Sequence, residues 1–122
     1  MQSKMTLTEL SNMITGYRFS FSSERELQDG IAALLMKEQI PFQRETRLSA
    51  PDRPDFMLEG GIALEVKIKG SLSELLRQAS RYAGHDEVTG ILVIGTPHWF
   101  TLIPDTLSGK PVKALRLIGS LL

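Results

Sequence analysis

Residues 90–95, GILVIG, form an uninterrupted apolar run of strand length. A strand with one wet face alternates apolar and polar residues, whereas a strand covered on both faces reads as continuous hydrophobe. The run therefore calls for a layer above and a layer below its sheet, and amphipathic helices are the elements that supply them. Two segments have the required pattern. Ser23 with Glu26 three residues later is a capping box, and Leu27, Ile31, Leu34 and Leu35 recur on one face, which predicts a helix over about 24–39 with Pro41 just beyond it. Ser71 and Glu74 repeat the box ahead of Leu72, Leu75, Leu76 and Ala79, and Gly84 stops that second helix.

Between them lie a short strand expected over Arg44 to Leu48, a turn at SAPD, and two strands in RPDFMLEGGIALEVKIKG (residues 53–70) with Gly60 and Gly61 at their turn. Residues 6–15 predict a further short helix capped by Thr6 or Thr8 and ended near Gly16, read as an accessory element. After GILVIG the tail contains a turn at SGKP and one more element from Val112, either a strand or a short helix. The fold class expected is α/β: a three-layer sandwich whose central mixed sheet of four or five strands is flanked by helices in an αβββαβ core. The 122 residues are read as one domain, with 1–20 accessory, 23–95 the core and 96–122 a C-terminal extension.

Fourteen basic and fourteen acidic side chains cancel, so no global field advertises a nucleic acid or a membrane, and any such patch must be local. The absence of cysteine excludes disulfides, thiolate chemistry and cysteine zinc sites. With no signal-like start and no apolar stretch long enough for a bilayer, a cytoplasmic protein without a membrane partner is the expectation.

The strand pair of residues 53–70 has an anomaly. Phe56, Leu58, Ile62, Leu64, Val66 and Ile68 are even and apolar, while Asp55, Met57, Ala63, Glu65 and Lys67 are odd. For the even set to share a face, Phe56 must pair with Leu64 and Leu58 with Ile62, which sets Asp55 opposite Glu65. Opposed residues have Cβ atoms roughly 4.5–5.5 Å apart, and like charges so placed repel. Lys67 can offset one charge; a divalent cation held by both carboxylates would offset both, and hard oxygen ligands suit magnesium better than zinc. The other reading is a solvated hairpin face whose acids pair with Lys67 and a nearby arginine.

Pro54-Asp55, nine residues, then Glu65-Val66-Lys67 resembles the signature of the PD-(D/E)XK nuclease superfamily, and the element order over residues 23–95 is similar to that family's core. Gln78-Ala79-Ser80-Arg81-Tyr82 resembles the Gln-x-x-x-Tyr spacing of its RecB-like members, and Lys69-Gly70 after the motif looks like the small VRR-NUC group. The resemblance implies a magnesium-dependent deoxyribonuclease, with manganese able to substitute. Metal ligands would be Asp55, Glu65, the Val66 carbonyl and Glu24, which otherwise only complements a helix dipole. Catalytic residues would be Asp55, Glu65, Lys67 and Gln78. DNA would be the partner, with Arg53, Arg77, Arg81 and Tyr82 as substrate contacts and Arg44 and Arg47 nearby. His85, His98 and Trp99 are read as structural. No recognition domain is evident, so structure-selective cutting or nicking is expected, and a homodimer would be needed for paired cuts. The rival readings are a binding or assembly module without catalysis on the same fold, and a metal-independent interaction domain.

Overall fold

The computed structural model describes residues 5–118. Its elements are α1 (Leu7–Thr15), α2 (Glu24–Lys37), β1 (Phe42–Arg44), β2 (Phe56–Leu58), β3 (Ile62–Lys67), α3 (Leu72–Ala83), β4 (Gly90–Gly95), a short 3₁₀ helix (His98–Leu102), β5 (Thr106–Leu107) and β6 (Lys110–Arg116). One mixed sheet of six strands has the order β1-β2-β3-β4-β6-β5. The central neighbours β3, β4 and β6 run parallel, and the outer pairs are antiparallel.

Every residue of β4 is buried, as its unbroken apolar run requires. Even-numbered Phe56, Leu58, Ile62, Leu64, Val66, Leu92 and Ile94 form one core with α1 and α2. Ala63, Ile91, Val93 and Val112 face the other way and pack with Leu75, Ala79, Tyr82 and Ala83 of α3 and Phe100 of the 3₁₀ helix. The hairpin register is Phe56 with Leu64 and Leu58 with Ile62, as the parity of the apolar residues predicts.

Several elements depart from expectation. The sheet has six strands rather than four or five, because the tail contributes two. The undecided segment from Val112 is strand: β6 lies parallel to β4, and β5 pairs along its outer side across the SGKP turn. The first strand is Phe42–Arg44, not Arg44 to Leu48, because Glu45 adopts a left-handed φ of 53° and turns the chain out of the sheet. α1 is not peripheral: Thr6 and Glu9 close a reciprocal capping box, and Leu10 and Ile14 enter the same core as α2. In α2 the Ser23 hydroxyl accepts from the Glu26 N–H, but the Glu26 carboxylate reaches back to the Ser22 N–H and hydroxyl, at 2.8 and 3.0 Å. The helix ends at Lys37, and Gln39 takes a φ of 60°. Among the described residues no helix is long and apolar enough to cross a membrane.

β3 and β4 approach closely at their carboxyl ends. A Cβ on Gly95 would overlap the Lys67 carbonyl and the Phe100 ring. Gly95→Ala is therefore expected to destabilise the protein by about 3 kcal/mol, at the upper end of overpacking costs. Urea unfolding measures it, and a loss below about 1 kcal/mol would contradict that close approach.

Candidate functional site

The sheet pairing ends one residue short of Asp55, and the side chains complete it. The Asp55 N–H donates to Glu65 Oε1 at 3.1 Å, and the Val66 N–H donates to Asp55 Oδ2 at 2.8 Å. Two acids thus replace the ladder bonds that a longer β2 would have made. Glu65 is 4% exposed and lies on the α3 face of the sheet, where the Tyr82 hydroxyl donates to the same Oε1 at 3.2 Å. Lys67, two residues along the strand, brings Nζ to 3.7 Å from Glu65 Oε2 with a quarter of its side chain exposed. Glu24, in the first turn of α2, accepts from the Ile68 N–H at 3.0 Å, so it stands at the end of β3.

Burial first, and then the facing Asp55 carboxylate, push Glu65 up to about 8. Burial also raises Asp55, with Glu24 and Glu45 adding to the effect and the Val66 N–H and Lys67 acting against it. Tyr82 is raised as well, by burial and by Glu65, and stays a neutral donor. Glu45 was not singled out in the sequence. It joins the group because its N–H bonds the Asp55 carbonyl at 2.9 Å, a contact that depends on its left-handed φ.

Glu65 Oε1 is occupied by two donors, whereas Glu65 Oε2 and Asp55 Oδ1 accept no hydrogen bond among the described residues. The N–H and C=O of one strand residue face the same neighbour. Val66, whose N–H meets Asp55, therefore turns its carbonyl to the same gap beyond the end of β2. Two carboxylate oxygens and a carbonyl are hard donors. They fit a magnesium ion, which is content with one or two carboxylates and keeps several waters. Glu24 does not complete a larger cluster: among the described residues, no three or more acid or histidine side chains are arranged to hold a metal.

The expected substrate contacts are distributed differently. Tyr82 is 1% exposed and supports Glu65 rather than presenting a free hydroxyl to solvent. Gln78, four residues earlier, is half-buried and makes no side-chain hydrogen bond among the described residues. Arg81 gives its Nε to Asp52 Oδ1 at 2.8 Å. Arg44 is paired with Asp29 at 3.0 Å and lies over the Phe56 ring, and Arg47 donates to the Ala50 carbonyl. Arg53 and Arg77 are exposed. His85 faces Asp52 Oδ2 at 2.9 Å, and Trp99 donates to the Gly70 carbonyl while packing beside Phe100, so both serve the fold as expected; His98 is exposed. Nothing in the sequence marks Asp52, which there is only the last residue of the SAPD turn. Hydrogen bonds from His85 and Arg81 hold its carboxyl below the usual range.

Glu65 yields a pH prediction. Its folded-state value, about 8, lies above the unfolded 4.5. Between those limits the folded chain holds the extra proton, so stability falls as pH rises, by at most about 1.4 kcal/mol per pH unit. Glu65→Gln keeps the shape and removes the titration. Melting curves in EDTA at about pH 5 and about pH 8 are expected to show a larger alkaline loss for wild type than for E65Q, and equal losses would contradict a buried, proton-binding Glu65. Compared with known proteins, the chain matches no family model, no curated protein and no solved structure.

Proposed function

We propose that this chain is a magnesium-dependent deoxyribonuclease of the PD-(D/E)XK kind. Its action would be structure-selective or nicking rather than sequence-specific. One observation carries the reading: Asp55 and Glu65 are locked opposite each other by main-chain N–H groups, with one oxygen of each left without a hydrogen-bond partner among the described residues and Lys67 alongside. Buried like charges are retained against stability where chemistry uses them.

On this reading Asp55, Glu65 and the Val66 carbonyl hold the metal, and Glu24 adds negative charge at the end of β3. A bound magnesium supplies a water of lowered pKa and draws charge from the phosphate. The chain's own residues do the rest. Tyr82 and the Asp55 N–H fix the Glu65 carboxylate, so its open oxygen points one way. Lys67, on the same face two residues on, is placed to orient the attacking water or to balance charge gathering on the phosphate. The water oxygen bonds to phosphorus, the bond to the leaving sugar oxygen breaks, and the proton passes from the water to solvent or to that oxygen. Of the expected contacts, exposed Arg53 and Arg77 are the cations left to meet the DNA backbone, with Gln78 on the same helix as Arg77.

The test is a panel of supercoiled, flap, junction and single-stranded DNA with magnesium or manganese. EDTA-sensitive cleavage is expected, lost in Lys67→Ala and in Asp55→Asn by at least about a hundredfold, as for groups acting at the transition state. In EDTA at about pH 9, where both acids are ionised, Asp55→Asn should melt no lower than wild type, because one of two opposed charges is gone, and manganese should raise the melting temperature of wild type but not of Asp55→Asn. DNA binding without hydrolysis under either metal, or full cleavage by Asp55→Asn, would sink the proposal.

A further inference from the structure

The segment between β1 and β2, residues 45–55, has no strand partner, yet it must deliver Asp55 to a fixed place opposite Glu65. A second buried acid anchors it. Asp52 is 5% exposed, three residues before Asp55, and each of its carboxylate oxygens is engaged. Oδ1 accepts from Arg81 Nε at 2.8 Å, while Oδ2 meets His85 Nε2 at 2.9 Å and the Ser49 hydroxyl at 3.2 Å. The Asp52 carbonyl accepts from the Leu48 and Ser49 N–H groups, so the side-chain anchor holds a closed turn rather than a loose loop. Arg81 lies in the last turn of α3 and His85 just past its Gly84 cap, so both converge on Asp52 from the end of that helix. Lys110 of β6 donates to the His85 carbonyl at 2.6 Å and ties that helix end to the sheet.

Tyr82 stands between the two clamping residues and donates to Glu65. One turn of α3 therefore holds both acids: Glu65 directly, through Tyr82, and the Asp55 segment indirectly, through Asp52. A charged contact to a buried acid is often no more stabilising than an apolar one of the same volume, and the best-attested use of such contacts is to select one registry. We infer that Asp52, gripped by Arg81 and His85, is the positioning residue that fixes Asp55 against Glu65. The inference rests on the proposed metal site for its consequence, but the placement of Asp55 can be read without it. In this account Arg81 is a clamp rather than a phosphate contact.

The full chain is tested with manganese as probe and three substitutions. Asp52→Asn keeps the shape and loses the charge, His85→Leu removes a donor, and His85→Gln returns an N–H within reach of Asp52. In protein still folded by its melt, Asp52→Asn and His85→Leu are expected to speed amide exchange at Asp55 and Val66 and to weaken manganese binding, read by electron paramagnetic resonance. Each effect should be about tenfold, at the low end of what supporting contacts around a metal site contribute. The Leu92 and Val93 amides should keep their protection, and His85→Gln should stay near wild type. Unchanged exchange at Asp55 and Val66 overturns the clamp, and so does faster exchange with undiminished manganese affinity. A wild-type chain that binds no manganese overturns the metal reading instead, and exchange at those two amides then decides the clamp alone.

Discussion

Two acids on directly opposed strand residues, with Cβ atoms about 5 Å apart, would repel by about 3 kcal/mol if both were ionised, at the effective dielectric of about 20 that suits protein sites. Asp55 and Glu65 are held in that relation by the hairpin register and by two main-chain N–H groups. The register cannot slip to relieve them. A one-residue shift would carry Phe56, Leu64 and Val66 out of the core and put charged residues into it. The hydrophobic pattern of one face thus enforces the electrostatic strain on the other, and the strain is met by raising the affinity of the pair for a positive partner.

The two sides of the sheet share the work unequally. α1 and α2 cover the even face mainly with leucine and isoleucine, joined by Phe19 and Phe21 from the link between them. α3 covers the odd face and brings Tyr82 to Glu65 and Arg81 to Asp52, with His85, just past its Gly84 cap, meeting Asp52 as well. Its start is fixed by the Ser71–Glu74 capping box and its end by Gly84, so the heights of these side chains over the strands follow from the helix ends. The parallel run of β3 into β4 needs this crossover helix in any case. The connection that the topology demands is also the element that orders the acids.

Much of this was legible in the sequence because it depends on short-range periodicity. GILVIG, the 23–39 stripe and the alternation of residues 56–68 each carry their own burial pattern, and each forms the expected element. Glu65 opposite Asp55 was legible for the same reason, since parity alone sets it. The illegible parts are those that depend on a single backbone angle or a distant partner. Nothing in the residues around Glu45 announces a left-handed φ, so the end of β1 was misplaced. Asp52 meets residues 29 and 33 positions away in the chain, and no local pattern distinguishes such an acid from an ordinary turn residue. β6 was ambiguous because Val112, Ala114 and Leu115 are apolar with charges between them, a spacing that both a strand and a short helix tolerate.

The pair has two ways to lose its excess charge, and the hydrogen bonds decide where either must act. Oε1 of Glu65 is closed by Tyr82 and by the Asp55 N–H, so a proton or a cation must come to Oε2 or to Asp55 Oδ1, on the side where Lys67 lies. At 3.7 Å the Lys67 contact is beyond hydrogen-bond length. At the same effective dielectric its attraction to Glu65 is about 4 kcal/mol, similar to the repulsion between the acids, but one ammonium offsets only one of two negative charges. With both acids ionised, Lys67 alone therefore leaves the pair with one uncompensated charge. On the proposed reading a divalent ion held by the two acids would take the place of the proton and the ammonium at Oε2, and Lys67, tethered two residues away on the same face, would be left beside the site to meet a phosphate.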